Sequence, residues 1–366
     1  MKKIMLVFGT RPEAVKMCPL AIELKKRKEF HVVVCVSGQH QEMLQEVMDI
    51  FGVIPDYNMA IMKDNQNLFD ITVNILGGIR EILSQEEPDI VLVHGDTTTA
   101  FTTALACFYM KISIGHVEAG LRTYNMDSPY PEELNRQFIS LVAKYNFVPT
   151  ERARQNLLTE KKNHASIFVT GNTVIDAMKT TVKKKYSNSI LEWAGANRLI
   201  LLTAHRRENI GIPMRNIFRA INRITAENPN VRVVYPIHMN PAVREICSEI
   251  LKDNDRVKII EPLNVADFHN IMARSYLIVT DSGGIQEEAP ALGKPVIVCR
   301  DTTERPEGVE AGTLLLAGTQ EESIYCAVDR LLHDQKKYVK MSKAVNPYGD
   351  GYACSKIANV LEFGEV

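Results

Sequence analysis

Short apolar runs alternate with longer amphipathic segments along the first part of the chain. The apolar runs span residues 4–8, 31–36, 90–93 and 112–117, and the amphipathic segments that follow them span residues 14–28, 41–51, 98–110 and 132–144. Short apolar runs without polar alternation are typical of strands that are covered on both faces. We therefore predict a parallel sheet with helices on both sides, which is a doubly wound α/β domain.

The same alternation restarts after a polar stretch at residues 183–197. Predicted strands cover 199–203, 231–236, 257–260, 276–280 and 295–299, and predicted helices cover 214–227, 241–251, 265–274 and 285–292. We expect two Rossmann-like domains, residues 1–170 and 171–351, and a helix within 352–366 that can pack back on the first domain. Because such sheets bind ligands beyond the carboxyl ends of their strands, we also expect a cleft between the domains.

Composition narrows the class of protein. The 366 residues are 45% hydrophobic, and 43 basic against 44 acidic residues leave a formal charge of -1. A nucleic-acid binder normally carries a basic excess, so no nucleic-acid partner is expected.

The seven cysteines form no C-x-x-C pair and are interpreted as reduced core residues. Residues 1–9 lack the apolar stretch of a signal sequence, and no run approaches the roughly 20 apolar residues of a membrane span. We expect a cytoplasmic protein without a membrane partner.

Polar residues gather where the predicted strands end. In the first half these residues are Arg11, Lys16, Asp96, Glu118 and, at the start of a helix, Glu132. In the second half they are His205, Arg206, Arg207 and the segment Asp281-Ser282-Gly283-Gly284. Because parallel strands end at one edge of a sheet, we expect these side chains to form the functional site.

Several of these residues allow a structural interpretation as well. Asp96 can act chemically or merely cap the helix that follows it, and Glu132 can serve only the helix dipole. The turn at Gly283 and Gly284 can hold a phosphate or simply allow close packing. Arg11 opposes a helix dipole, which favours either an anionic ligand or a surface salt bridge.

Glu118 and His205 favour function more strongly. Glu118 ends a strand and has no helix to cap. His205 directly follows a buried strand and stands beside two arginines, which would lower its pKa, whereas an anionic ligand would raise it.

The usual cofactor motifs are missing from the sequence. It has no G-x-G-x-x-G after the first strand, no G-x-x-x-x-G-K-[ST], no H-E-x-x-H and no His/Cys cluster. We therefore predict no dinucleotide, ATP P-loop or metal cofactor.

Seven motifs in fixed order resemble one family. They are G-T-R-P-E at 9–13, H-G-D-T at 94–97, H-V-E-A-G-L-R at 116–122, P-E-E-x-N-R at 131–136, T-A-H-R-R-E-N at 203–209, D-S-G-G-x-Q-E-E at 281–288 and T-T-E-R-P-E at 302–307. From residue 4 to about 350, the chain resembles the non-hydrolysing UDP-N-acetylglucosamine 2-epimerases.

The resemblance implies a GT-B arrangement of two Rossmann-like domains, a homodimer, and interconversion of UDP-GlcNAc and UDP-ManNAc without metal or nicotinamide. The family's route is anti elimination of UDP to 2-acetamidoglucal followed by re-addition, which supplies ManNAc for cell-surface polysaccharide. Its bacterial members also bind a second UDP-GlcNAc as an activator.

Motif matches carry the family's roles onto residues of this chain. The catalytic positions correspond to Asp96, Glu118, Glu132 and His205, with the roles of acid and base left open among the carboxylates. The substrate-binding positions correspond to Arg11, Lys16, Ser282, Gly283, Gly284, Glu288 and Arg305, and the activator positions to Gln39, His40 and Arg206.

Four other functions remain open at this point. They are a hydrolysing 2-epimerase that releases ManNAc and UDP, a 2-epimerase that acts on a modified UDP-sugar, a GT-B glycosyltransferase, and a non-catalytic nucleotide-sugar sensor.

Overall fold

The computed structural model of the protein describes residues 1–38, 41–63 and 66–364. The chain forms two units, Met1–Thr180 together with Tyr348–Val366, and Thr181–Pro347. Each unit is a parallel sheet flanked by helices, which confirms the predicted class of two doubly wound α/β domains. Within the described ranges, no helix is long and apolar enough to cross a membrane.

The first unit contains a seven-stranded sheet with the order β3-β2-β1-β4-β5-β6-β7. Its strands are β1 (Lys2–Phe8), β2 (Phe30–Val36), β3 (Tyr57–Asn58), β4 (Ile90–His94), β5 (Ser113–Val117), β6 (Tyr145–Val148) and β7 (Ile167–Val169). The helices that follow these strands are α1 (Arg11–Lys25), α2 (Gln41–Phe51), α3 (Leu68–Glu86), α4 (Thr98–Tyr109), α5 (Glu132–Val142), α6 (Glu151–Thr159) and α7 (Thr173–Thr181). The central strands β1 and β4 are buried on both faces, as their apolar sequences predict.

The second unit repeats this plan with six strands in the order β10-β9-β8-β11-β12-β13. Its strands are β8 (Arg198–Thr203), β9 (Val231–Pro236), β10 (Val257–Ile260), β11 (Leu277–Thr280), β12 (Val296–Val298) and β13 (Leu314–Leu316). Its helices are α8 (Ser189–Ala194), α9 (Ile212–Glu227), α10 (Pro241–Leu251), α11 (Val265–Arg274), α12 (Ile285–Ala291), α13 (Pro306–Glu310), α14 (Glu321–His333) and α15 (Gln335–Ser342).

The last helix, α16 (Ala353–Phe363), packs on the first unit. Asp176 of α7 accepts hydrogen bonds from the backbone N–H groups of Ala353 and Cys354, both at 3.1 Å, and so caps the start of α16. Near its end, Arg27 donates to Asn359 at 2.7 Å and to Glu362 at 2.5 Å. These contacts make the C-terminal segment part of the first unit's structure.

In each unit the order of the strands reverses direction at one point. In the first unit this switch point lies between β1 and β4, and in the second it lies between β8 and β11. Open α/β sheets bind ligands beyond the carboxyl ends of the strands at such points. The residues that directly follow these four strands include Arg11 at the start of α1 and Asp96, His205 and Ser282 in loops.

Candidate functional site

Glu118 lies at the centre of a polar network in the first unit. Lys16 forms an ion pair with its Oε2 atom, and Asn172 donates to the same oxygen at 2.7 Å. The Nε2 atom of buried His94 lies 3.7 Å from that oxygen. Burial alone would raise the pKa of Glu118, but Lys16 and His94 hold the pKa well below its ordinary value. Glu118 is therefore ionised at neutral pH.

The backbone at Glu118 is unusual. Its φ of +62° lies in the left-handed region, which is uncommon for a residue with a side chain. Two residues later, a Cβ atom at Gly120 would lie 2.4 Å from the carbonyl oxygen of Ala153, so only glycine fits there. Strained backbone of this kind concentrates at functional sites, where the surrounding structure fixes it.

Asp96 follows β4 and is not the cap of α4. The cap is Thr97, whose side chain accepts from a backbone N–H in the first turn. The Asp96 carboxylate instead accepts from Arg136 Nη2 at 2.5 Å, and its backbone carbonyl accepts from Asn135 at 2.8 Å. Both partners come from α5, so this helix positions Asp96.

Charges around Asp96 act in opposite directions. Burial raises the pKa of Asp96, the Arg136 guanidinium opposes this effect, and the negative charges of Glu118 and Glu132 raise the pKa further. The net direction is upward. Glu118 and Glu132, the other two carboxylates that the sequence predicts as catalytic, are thus close enough to Asp96 to affect its pKa.

The two glutamates at the start of α5 have different surroundings. Glu132 is its first residue and interacts electrostatically with Asp96. Glu133 is fully buried and accepts from the backbone N–H groups of Thr123 at 3.0 Å and Tyr124 at 3.1 Å. Glu133 therefore fixes the loop between β5 and α5.

Arg11 is the first residue of α1, so its charge opposes the dipole of that helix, as the sequence predicts. The buried Glu13 carboxylate accepts from the backbone N–H of Gly9 at 3.0 Å and from the Thr97 hydroxyl at 2.8 Å. One carboxylate thus connects the loop that precedes Arg11 to the loop that follows β4.

In the second unit, Asp281 organises the loop after β8. Its fully buried carboxylate accepts from the backbone N–H groups of His205 at 3.0 Å and Arg206 at 2.9 Å. The side-chain amide of Asn209 donates to it at 3.1 Å. The sequence segment containing Asp281 was expected to act through its glycines, yet this carboxylate is what positions His205.

The His205 ring stacks on a second histidine. The centroid of His205 lies 5.4 Å from that of His238, with 16° between the planes. Burial lowers the pKa of His205, Asp281 opposes this effect, and His238 and Arg206 lower the pKa further. The direction agrees with the sequence prediction, although burial is a larger cause than the neighbouring cations.

The turn after β11 brings charged side chains against its backbone. Ser282 donates its N–H to Thr280 at 2.9 Å, and Gly284 directly precedes α12 in ordinary helical conformation. A Cβ atom at Gly283 would lie within 3.2 Å of three charged side chains, those of Glu304, Arg305 and Arg206. Glycine is needed here for close approach rather than for an unusual φ.

The remaining predicted residues are placed less centrally. Glu288 lies on α12, with its Oε2 atom 3.4 Å from Nε2 of the buried His269. Gln39 and His40 lie outside the described residues, so their predicted role with the activator stays a prediction. Over the three described ranges, no group of three or more His, Cys, Asp or Glu residues is arranged to hold a metal ion.

Comparison with known proteins decides the family. The family model described as UDP-N-acetylglucosamine 2-epimerase matches residues 22–362. The chain belongs to the UDP-N-acetylglucosamine 2-epimerase family. It is 58% identical over 361 residues to the UDP-N-acetylglucosamine 2-epimerase of Bacillus subtilis (strain 168), an alignment that covers 99% of this chain and 95% of the relative.

Two solved structures of similar proteins contain ligands. The crystal structure of the UDP-GlcNAc 2-epimerase from Neisseria meningitidis bound to UDP-GlcNAc has a TM-score of 0.89 and 45% identity, covering 98% of this chain and 99% of that one. The S. aureus MnaA-UDP co-structure has a TM-score of 0.92 and 49% identity, covering 100% of this chain and 97% of that one.

Proposed function

We propose that this family member interconverts UDP-GlcNAc and UDP-ManNAc without hydrolysing them. The observation that carries this proposal is the network of the first unit, in which Asp96, Glu118 and Glu132 interact beside the Lys16 cation. Inversion at sugar carbon 2 needs groups that remove and return one proton, and paired carboxylates in different environments are suited to that task. The bound UDP-GlcNAc and UDP of the two similar structures support a UDP-sugar as the ligand.

The proposed reaction has two balanced steps. A base takes the proton from carbon 2, a double bond forms between carbons 1 and 2, and the bond from carbon 1 to the diphosphate oxygen breaks with its electron pair leaving on UDP. UDP then adds back to carbon 1 as carbon 2 is protonated on the opposite face.

We assign the transfer of the carbon-2 proton to the carboxylates of the first unit. We assign binding of the diphosphate to Arg11, Ser282, Gly283 and Arg305, and binding of the ribose hydroxyls to Glu288. Cations at a departing diphosphate stabilise its developing charge.

The opposite pKa directions suggest how the carboxylates divide the work. Glu118, whose pKa is lowered, is a weak base and stays ionised beside Lys16. Asp96, whose pKa is raised, is the better proton acceptor near neutral pH. We propose that Asp96 exchanges the carbon-2 proton on one face and that Glu118 maintains the charge balance of the network.

If Asp96 is the base, the pH dependence of kcat/KM should change in an Arg136→Met variant. Arg136 lowers the pKa of Asp96, so its removal should raise that pKa. Because the deprotonated form is the base, the acid limb of kcat/KM should move to higher pH, as initial rates measured across the pH range would show. Arg136→Lys keeps the positive charge and should keep the limb closer to its wild-type position. If the acid limb of kcat/KM lies at the same pH in Arg136→Met as in the wild type, a group other than Asp96 produces that limb.

Isotope exchange tests the reaction itself. Incubation of the protein with UDP-GlcNAc in deuterated water should give UDP-ManNAc that carries deuterium at carbon 2, which proton NMR detects. Free ManNAc that accumulates in step with UDP would identify a hydrolysing enzyme instead. Product without deuterium would rule out proton exchange at carbon 2.

We further propose that a second UDP-GlcNAc activates the protein by binding to Arg206, Gln39 and His40, and that the reaction supplies ManNAc for polysaccharide.

We also propose that the protein forms a homodimer. An exposed apolar surface on α3 and α4 supports this association, because patches of this kind are typical of interfaces. Its most exposed side chains are Phe69 at 83%, Val73 at 68% and Tyr109 at 68%.

A further inference from the structure

Glu304 lies among three arginines beside the turn that follows β11. Its Oε1 atom is 2.9 Å from Arg305 Nη1 and 3.4 Å from Arg206 Nη2. Its Oε2 atom is 2.6 Å from Arg300 Nη1. These cations hold the pKa of Glu304 below its ordinary value against the opposing effect of burial. The carboxylate is therefore ionised when it contacts them.

Each of the three arginines pairs with at least one carboxylate. Arg305 also pairs with Glu287 at 2.6 Å, and Arg300 with Glu208 at 3.4 Å. Arg206, Arg300 and Arg305 are thus matched by Glu208, Glu287 and Glu304. A site that receives a diphosphate gains affinity from uncompensated cations, whereas here an internal carboxylate already neutralises them.

The position of Glu304 resembles that of a bound anion. Its Oε1 atom lies 2.8 Å from the place where a Cβ atom of Gly283 would stand, so the carboxylate sits directly against the backbone of the glycine turn. Guanidinium groups pair with carboxylate and phosphate oxygens through the same geometry. A carboxylate held by guanidinium groups against a glycine turn occupies the position that suits a phosphate oxygen.

We propose that the Glu304 carboxylate is an internal competitor of the substrate's diphosphate, which must displace it from Arg206 and Arg305 in order to bind. This inference rests on the proposed function, since it assumes that the turn at Gly283 receives the diphosphate. The competition weakens the binding of substrate, product and UDP alike. Weaker ground-state binding favours release of the product and leaves the cations to act on the departing diphosphate.

Titration calorimetry of a Glu304→Gln variant with UDP tests the competition. The amide keeps the shape of the side chain but loses its charge, so UDP and inorganic pyrophosphate should bind about tenfold more tightly than to the wild type. Uridine, which lacks phosphates, should bind equally to both proteins. In the reaction, KM should fall and kcat should not rise, a split that a merely structural role would not produce.

Glu261→Gln is the matched control. Glu261 forms a 2.5 Å ion pair with Arg244 on the same unit but away from the glycine turn, so its loss should leave UDP affinity unchanged. If Glu304→Gln fails to fold, Glu304→Asp serves instead. Its shorter side chain withdraws the charge from Gly283 and should give a smaller gain in affinity.

The outcomes separate this inference from the proposed function. A wild-type protein that binds UDP, together with a folded Glu304 variant that binds it equally or less tightly, would overturn the competition and leave the epimerase proposal standing. A wild-type protein that binds no UDP would overturn both.

Discussion

Replacing Glu118 with Gln should lower kcat by roughly 10²–10⁴-fold, because the proton transfer that we assign to Asp96 depends on the charge of Glu118, while UDP still binds. The variant removes the negative charge that balances Lys16 and His94, and both are largely buried with it. Lys16 and His94 then lose their interaction with Glu118, and the charge balance around Asp96 changes as well. Steady-state rates with UDP-GlcNAc and calorimetric titration with UDP would measure the two effects separately.

Glu151→Gln is a suitable comparison for this variant. Glu151 lies on α6 of the same unit, 59% exposed and paired with Arg154 at the surface, so its loss should not change the rate. Turnover of Glu118→Gln at the wild-type rate would remove Glu118 from the chemistry.

Replacing Asp281 with Ala should destabilise the protein by about 3–5 kcal/mol, the usual cost of removing one partner from a buried charged network. The backbone N–H groups of His205 and Arg206 would lose their acceptor, and the side-chain amide of Asn209 would lose one of its two acceptors, the other being the carbonyl of Cys299. Urea unfolding would show the loss of stability. The rate should fall as well, because the carboxylate fixes the turn that presents His205.

The expected loss of stability in Asp281→Ala follows from the burial of the carboxylate, so removal of a carboxylate at the surface is a suitable control. Asp329 lies on α14 of the same unit, 35% exposed and paired only with His333 among its acidic and basic neighbours in the described structure. Asp329→Ala should change the free energy of unfolding by less than about 0.5 kcal/mol. Equal stability of the Asp281 and Asp329 variants would mean that the buried network contributes little.

The sequence predicts the central elements of both units well. β1, β4, β8 and β11 are continuous apolar runs because both faces of a parallel sheet are covered, and the residue that follows such a run can be placed at the sheet's carboxyl edge. Asp96, Glu118 and His205 were predicted in this way, and the structure shows Asp96 and Glu118 in one interacting group.

Short strands cannot be predicted from continuous apolar runs. β7 has three residues, too few for a recognisable pattern, and it was not predicted. Asn172, which donates to Glu118, follows that strand and was therefore missed. α3 was also missed. Gly77 and Gly78 interrupt its helical propensity, yet the buried face of Ile75, Ile79 and Leu83 stabilises it in the folded unit.

Networks between distant positions cannot be predicted from spacing alone. Arg136 donates a hydrogen bond to Asp96, which lies 40 residues away in the sequence, and Arg206 donates one to Glu304, which lies 98 residues away. Each motif shows which charges are available, but only the fold determines which of them pair. For that reason the motif T-T-E-R-P-E does not by itself predict a role for Glu304, which in the structure pairs with Arg206 and Arg305 beside the glycine turn.

The return of α16 to the first unit has a consequence for biosynthesis. The second unit is one continuous segment, whereas the first unit needs residues from both ends of the chain. During synthesis, every residue of the second unit is made before the helix that Arg27 and Asp176 of the first unit bind. A nascent chain stalled before residue 348 would thus expose the apolar surface that α16 normally covers, and would be the form most exposed to aggregation or to chaperones.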